Sequence, residues 1–459
     1  MKLHLTRTSF FQKHFYLFVL FFIFIFCSVN ISISQSWMSP GIGTNNDVYT
    51  LQVFNNELVA GGIFTTAGGT STNRVAKWNG TYWASLGMGV NGRVEALTIF
   101  NGELVAAGNF TSIGGVSANR IAKWNGYNWS TMGAGLNDDV LALTVYNGNL
   151  YAAGTFFSSG STSVNRVAMW DGTNWVPLGL GVNNEVNALT VYNNQLIVGG
   201  LFTTAGGINA NRIAAWNGTT WSTLGLGFND GVYSFAIYNN ELIVGGSFTT
   251  IGGISASRIA KWNGSWSNLA LGTNGIVYSL TVVNSVLYAG GAFTQAGGIS
   301  ASHIAKWNGT LWSACGSGIN GGNVLALAGF GSSVYAAGHF FSAGGISVNN
   351  IAAWIVFTGI THNGNSVPTE IALHQNYPNP FNPSTTIAFD LPENNNYTGD
   401  VNVSVFNSLG EKVADVYNQP YAPGSYKVTF DAGNLSSGIY YYILTAGDYS
   451  LSKKMIIIK

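Results

Sequence analysis

Charge, cysteine and helical patterning are all scarce in this 459-residue chain. Only 8% of its residues are charged, against about 25% in ordinary soluble chains, and 18 basic residues balance 18 acidic ones for a net charge of zero. No long-range field therefore draws in nucleic acid or an anionic membrane surface, and no nucleic-acid partner is expected. Solubility has to come from Asn, Ser and Thr. There are two cysteines, Cys27 and Cys315. With Cys27 in a leader segment, Cys315 is left without a partner, so an exported form has no internal disulfide and is held together by packing. No helical periodicity follows the leader. The length exceeds that of one ordinary domain, which implies at least two folded units besides any processed segment.

The leader has the layout of a secretory signal peptide over residues 1–34. Lys2, Arg7 and Lys13 precede an apolar run at 15–27, and a polar stretch at 28–34 follows. A transmembrane anchor needs about 20 apolar residues, and the run is shorter, so cleavage is expected rather than anchoring. The small-x-small triplet Ser32-Ile33-Ser34 puts the cut before Gln35 and leaves no transmembrane anchor in the mature chain. Bulky Phe26 directly before Cys27 argues against lipidation there.

Glycine, at 60 residues, is plentiful, and so is repetition. Trp78, Trp124, Trp170, Trp216, Trp262, Trp307 and Trp354 are separated by 46, 46, 46, 46, 45 and 47 residues. Such a period marks a repeat fold in which no unit buries its apolar face alone. In the unit at 83–128, a short strand opens at Trp83 and a turn passes through Gly89 and Gly92. Residues 94–100 then alternate with period two, as a strand does. Asn101-Gly102 is a hairpin signal, because both positions of that turn want positive φ. A further strand follows at 103–111, a longer loop at 112–119, and a last strand at 120–124. Four antiparallel strands per unit, seven times over, predict an all-β fold with a seven-bladed β-propeller at 35–357. The small residues at Ala60-Gly61-Gly62 and Val198-Gly199-Gly200 fit close approach of neighbouring blades, not a phosphate loop, which would need a following helix.

The phase of the repeat predicts how the ring closes. The first unit opens on Trp37, and the seventh ends at Trp354 with no strand after it. Residues 37–40 should therefore pair with 350–354. Cys315, in Trp312-Ser313-Ala314-Cys315-Gly316, stands where a sister unit has Leu86, in Trp83-Ala84-Ser85-Leu86-Gly87. It reads as a buried apolar residue, not a reactive thiol.

The repeats resemble Kelch-like and galactose-oxidase-type propeller modules, and still more the repeats of fungal cortical cell-polarity markers. The resemblance rests on Gly61-Gly62-Ile63-Phe64-Thr65, on Ile121-Ala122-Lys123-Trp124-Asn125-Gly126 and on the tryptophan after each, over about residues 36–357. No catalytic residue transfers. A copper oxidase of that type needs a Tyr-Cys pair with two histidines, and the repeats hold only His303 and His339.

Beyond Trp354 the period stops. A linker is expected at 358–369, followed by a second domain at 370–459 with strands at 386–390, 401–407, 425–430, 438–445 and 449–458. Short strands bounded by prolines predict a small immunoglobulin-like β-sandwich. This stretch closely resembles the type A sorting domain of the bacterial type IX secretion system. The motifs are Tyr377-Pro378-Asn379-Pro380-Phe381-Asn382-Pro383, Gly438-Ile439-Tyr440 and the tail with Lys453, Lys454 and Lys459. The resemblance implies passage through the inner membrane on the signal peptide and recognition by the type IX machinery at the outer membrane. It also implies a secreted or surface-attached product and provides for removal of this domain with attachment to surface lipopolysaccharide. The tail at 455–458 would offer an edge strand that a partner could extend.

One ionic feature repeats. Arg74, Arg120, Arg166, Arg212 and Arg258 open the third strand of five successive units, with His303 and Asn350 in the last two. Asp47, Asp139 and Glu185 occupy a loop expected on the same face, with Arg93 in their register. These residues are the candidate ligand face. A structural reading, in which each arginine ties two loops together, stands beside it and is favoured, because scaffold positions repeat and binding sites break symmetry. Asn137-Asp138-Asp139 is too short to assemble the oxygens of a calcium site, and the tryptophans read as blade packing before sugar platforms. No cofactor, metal cluster or catalytic set follows from spacing. The expected function is a non-enzymatic binding or structural module at the cell surface, with a polysaccharide or surface protein as ligand. A polysaccharide-active enzyme and a cell-envelope adhesion protein are the alternatives.

Overall fold

The computed structural model describes residues 32–459 except 332, 364–367, 369, 393–399, 421–423, 434 and 448. The proposed leader lies outside the described residues for all but its last three positions. Among the described residues every regular element is a strand. The second repeat shows how a unit is built. Arg93–Phe100 pairs with Glu103–Asn109, which pairs with Ile121–Trp124, which pairs with Trp129–Thr131. Asn101 and Gly102, at φ 51° and 78°, make the tight turn that the sequence predicts.

Seven four-stranded antiparallel sheets of this kind are present. Their innermost strands neighbour one another in chain order, and Asn323–Phe330 of the seventh meets Val48–Phe54 of the first. The sheets therefore form a closed ring of blades. Between blades the core is apolar and repeats. Phe64, Phe110, Phe156, Phe202, Phe248, Phe293 and Phe340 are all fully buried, which explains the Gly-x-Phe-Thr motif. Its threonine is used as well. Thr111 and Ser112 both donate their backbone N–H to Asn91 Oδ1 at 2.9 Å, and Asn91 Nδ2 donates to Thr111 Oγ1 at 2.9 Å. Close approach explains the small residues of the second strand, since a Cβ at Gly61 would lie 2.5 Å from Val94 Cγ1 of the next blade.

Residues 112–119, expected as a loop, contain a two-stranded ribbon in which Ser112–Ile113 pairs with Val116–Ser117. Its counterparts recur in the other repeats. Gly114 and Gly115, at φ 58° and 81°, supply the reversal between the two strands.

The ring closes by exchange. Ser32–Met38 is the outer strand of the seventh blade, with Trp37 opposite Trp354 and Met38 opposite Ala353. The pairing then runs away from Pro40, as far as Ser32 opposite Ile360. A tryptophan contact marks every junction. The indole N–H of Trp83 donates to Pro40 O at 2.9 Å, Trp129 to Leu86 O at 3.1 Å, Trp175 to Met132 O at 3.2 Å and Trp221 to Leu178 O at 2.9 Å. Trp266 donates to Leu224 O at 2.8 Å, Trp312 to Leu269 O at 3.3 Å and Trp37 to Cys315 O at 2.8 Å. The Cys315 side chain is fully buried, as expected of a core residue, and burial pushes its thiol up to about 12.

One boundary needs correction. The linker expected at 358–369 is strand as far as residue 363, because Ile351–Asn363 leaves the seventh blade and continues into the C-terminal domain. There Thr361 pairs with Lys427, His362 with Tyr426 and Asn363 with Ser425. Polar Thr-His-Asn reads as linker, yet these residues extend readily where the neighbouring strand Gly424–Asp431 offers open backbone groups. The C-terminal domain is a two-sheet antiparallel sandwich. One sheet holds Ala372–Leu373, Ser384–Leu391 and Gly424–Asp431, and the other holds Asp400–Phe406, Lys412–Pro420, Gly438–Ala446 and Tyr449–Ile457. All five strands expected from sequence are present. Ala372–Leu373 and Lys412–Pro420 were not expected.

Because Trp37 is buried in the N-terminal strand that completes the seventh blade, Trp37→Ala should cost about 3–5 kcal/mol, read as the denaturant midpoint of the full-length protein. Deleting residues 35–42 should lower the melting temperature further. An unchanged melt of the deletion variant would show that the ring does not depend on this strand.

Candidate functional site

The repeated arginines share one backbone role. Arg74, Arg120, Arg166, Arg212 and Arg258 all sit in the left-handed backbone region, at φ between 62° and 73°, as do His303 and Asn350. Each donates its backbone N–H to the buried phenylalanine ten residues earlier, as Arg74 N does to Phe64 O at 2.7 Å. Two of the side chains, those of Arg74 and Arg258, reach carbonyls at the crossover to the next blade, whereas the Nε of Arg120 and of Arg212 is buried without a partner. Arg74 Nη1 donates to Val90 O at 3.0 Å and Arg258 Nη1 to Thr273 O at 3.4 Å. The later units do the same with other chemistry, His303 Nδ1 lying 2.8 Å from Ile319 O and Asn350 Nδ2 donating to Thr44 O at 2.9 Å. Arg212 Nη1 instead donates to Phe202 O in its own blade at 3.2 Å. Geometry thus supports the loop-tie reading of these residues.

The acidic residues do not meet the repeated arginines. Asp139 Oδ2 pairs with Arg93 Nη2 at 2.9 Å and its other oxygen accepts from Asn109 Nδ2. Arg93 Nε pairs in turn with Glu95 Oε1 at 3.0 Å. Asp47 pairs across the ring closure with His339 Nδ1 at 2.7 Å. Glu185 stands at the same strand-entrance position, its backbone N–H held by Asn184 Oδ1 at 2.8 Å. The ligand face expected from sequence therefore divides in two. One part is a ring of structural ties, and the other is a group of charged residues around the axis.

Of that second group, Glu95 lines a cavity of about 340 Å³ to which the inner strands of all seven blades contribute. A local irregularity of the inner strands makes it. In every blade the pairing of the first two strands shifts by one residue just after its start, for example between Val48 and Thr50 and between Val94 and Ala96. The skipped residues are Tyr49, Glu95, Leu141, Asn187, Tyr233, Tyr278 and Leu325, and each follows a valine that is fully buried in its blade. A bulge leaves its extra residue unpaired and re-aims the side chain. Here all seven line the cavity.

The electrostatics of the cavity are acidic. Burial raises the Glu95 carboxyl above its usual value, Arg93 pulls it back and Asp139 raises it further. Burial also raises the Tyr49 hydroxyl, with Asp47 and Glu95 adding to the rise. Tyr233 and Tyr278 pack against each other with ring centroids 5.8 Å apart. The Asn187 amide nitrogen is buried and has no hydrogen-bond partner. Sequence reasoning missed these residues. The available signal was a repeated valine followed by the position at which the seven units disagree.

In the C-terminal domain the sorting-motif residues converge on the last strand. Asn379 Oδ1 accepts from Ile456 N at 2.9 Å, Phe381 N donates to Ile456 O at 3.1 Å and Ile458 N donates to Phe381 O at 3.0 Å. The expected open edge at 455–458 is thus covered at 456–458 by the proline-rich segment, while Met455 and Ile457 are buried. Pro378 O accepts from Thr385 Oγ1 at 2.7 Å, and Pro380 lies between the two residues that bond the strand. Tyr377 is 82% exposed. Gly438 opens the neighbouring strand, Tyr440 bonds Ser436, and Lys453 and Lys454 face solvent. Lys459 Nζ donates to Gly433 O at 2.8 Å.

Residues 375–458 match the family described as a secretion system C-terminal sorting domain. The C-terminal sandwich is a sorting domain. It directs the chain to the type IX secretion machinery and hence to a secreted or cell-surface location. Within the ring, residues 101–130 and 239–267 match the family described as "Domain of unknown function (DUF5122) beta-propeller". No curated protein matches the chain. Among the described residues no helix is long and apolar enough to cross a membrane.

The raised Glu95 carboxyl has a pH consequence. Its folded form holds a proton more tightly than the unfolded chain does, so its contribution is most favourable below the ordinary Glu value. That contribution is lost as pH rises through the raised folded value and is constant above it. Unfolding titrations between about pH 4 and pH 7 should show Glu95→Gln lacking this decline. Parallel curves for the two proteins would contradict the assignment.

Proposed function

We propose that this is a type IX secretion substrate whose propeller acts, outside the cell, as a non-enzymatic binding module with its ligand site at the axial cavity. One observation carries the reading: a scaffold that repeats from blade to blade is interrupted by seven bulge positions whose side chains differ. Structural roles repeat, whereas a ring that presents Tyr, Glu, Leu, Asn, Tyr, Tyr and Leu to one space has no packing reason to vary. The cavity volume lies in the range of small-molecule and ligand-tip pockets, about 300–1,000 Å³. A polysaccharide or a surface protein, exposing one group to this opening, is the partner class suited to an extracellular address.

The rival reading, a polysaccharide-cleaving enzyme, draws on two carboxylates beside the axis. Glu95 and Asp139, however, are held on one guanidinium, that of Arg93. A glycosidase pair leaves a gap of about 5–9.5 Å for the scissile bond and its water, and here the arginine stands between the two groups. This arrangement supports binding over cleavage.

Two measurements test the proposal. Removing residues 370–459 should abolish appearance of the protein at the surface or in the medium while the chain accumulates inside the cell. Full-length protein incubated with a panel of insoluble extracellular polysaccharides and with surface-protein extracts should be retained by at least one, without release of reducing ends. Release of reducing ends would replace the binding reading with the enzyme, and retention by none would end it.

A further inference from the structure

The geometry points to the chemical class of ligand at this axial site: a small hydroxylated organic cation, such as the amine-bearing ring of an amino sugar. The inference rests on the binding-module reading and adds the identity of the recognised group.

The charges at the cavity mouth are unequal. The strand-entrance position carries Asp47, Arg93, Asp139 and Glu185 in the first four blades and the uncharged Gly231, Ile276 and Asn323 in the other three. With Glu95 added, four carboxylates face one guanidinium and one imidazole, that of His339. The carboxylates outnumber the cations in spite of Arg93, and at the Tyr49 hydroxyl, raised first by burial, Asp47 and Glu95 add to the rise more than Arg93 takes from it. An anionic ligand would meet repulsion in a space where solvent screening is weak, whereas a cation would be attracted.

The opposite side of the ring is aromatic. Tyr233 and Tyr278 belong to the fifth and sixth blades, across the axis from Glu95 in the second. An ammonium group held between a carboxylate and tyrosine rings gains both Coulombic and cation–π attraction, the latter about 0.5–2 kcal/mol. The same ring faces accept the C–H surface of a sugar. Asn187 adds the requirement for oxygen. Its amide nitrogen is buried without a partner, and a buried donor left unmatched costs about 1–3 kcal/mol. A ligand hydroxyl would supply the acceptor. Aromatic rings, surplus carboxylate and an unmatched amide together select an amine that also carries hydroxyl groups.

The experiment uses full-length protein and two probes of nearly equal shape, glucosamine, which is cationic, and N-acetylglucosamine, which is neutral, with binding followed by saturation-transfer NMR and calorimetry. Glucosamine is expected to bind at least tenfold more tightly. Glu95→Gln and Tyr278→Ala should each weaken it at least tenfold, Asn187→Ala severalfold, and Arg258→Ala, at a loop tie, not at all, all variants having native circular dichroism and melting behaviour. Equal binding of the two probes would overturn the inference, as would glucosamine binding that is unchanged in Glu95→Gln and Tyr278→Ala. Retention on the polysaccharide and protein panel, measured with the same variants, separates the two levels. Retention that persists in Glu95→Gln and Tyr278→Ala while glucosamine fails to bind overturns the amine assignment and leaves the propeller a binding module that uses another surface. Loss of panel retention together with loss of glucosamine binding in these variants supports both.

Discussion

Everything in this molecule depends on closing a ring of sheets that cannot stand alone. Each blade exposes two apolar faces, and only a neighbour on either side removes them from water. The closing contacts join the two ends of the ring: an N-terminal strand completes the seventh blade, and Trp37 donates to Cys315 O as the other six indoles donate to their own carbonyls. A bond of this kind contributes only about 1 kcal/mol, but it fixes the angle at which one blade meets the next. Seven such bonds, one per junction, go round the circle. The chain has no disulfide among its described residues to share that task.

Closure also explains which positions repeat and which do not. A residue at the junction of two blades faces the same neighbours seven times, so the sequence keeps phenylalanine, tryptophan, small residues and the valine that flanks each bulge. The bulge residue itself has no cross-strand partner and no junction to fill. It is the one inner-strand position that scaffold packing leaves free, and it points where all seven blades converge. Symmetry in the fold therefore generates a place where symmetry can be broken at little cost to stability.

This is also why the fold was legible from sequence and the axial site was not. Periodic tryptophans, Asn101-Gly102 and the phase of the first unit report local geometry or spacing, and these fix strand number, turn position and the exchange at Trp37. A bulge depends on which residue of one strand meets which residue of the other, and alternation at 94–100 looks the same with or without a one-residue shift after Val94. The repeated arginines drew attention because charge is rare in this chain. Their shared left-handed backbone, and the carbonyl partners of Arg74, Arg212 and Arg258, favour a structural tie. Asp47, Asp139 and Glu185 were recognised as one register with Arg93, but the pairing of Asp47 with His339 and of Asp139 with Arg93 runs across blades and becomes apparent only with the ring assembled.

The boundary between the two domains follows the same physics. Thr361, His362 and Asn363 carry no apolar pattern, so composition reads them as linker, yet backbone pairing does not require an apolar side chain. It requires an unpaired neighbour at the right distance, and the strand Gly424–Asp431 provides one. In consequence a single strand, Ile351–Asn363, completes the last blade at one end and joins the sorting sandwich at the other, while its middle holds the N-terminal strand. The element that closes the ring and the element that connects it to the export signal are the same stretch of backbone. Domain boundaries drawn from composition fall inside that strand, because composition records side chains whereas continuity here is carried by hydrogen bonds of the main chain.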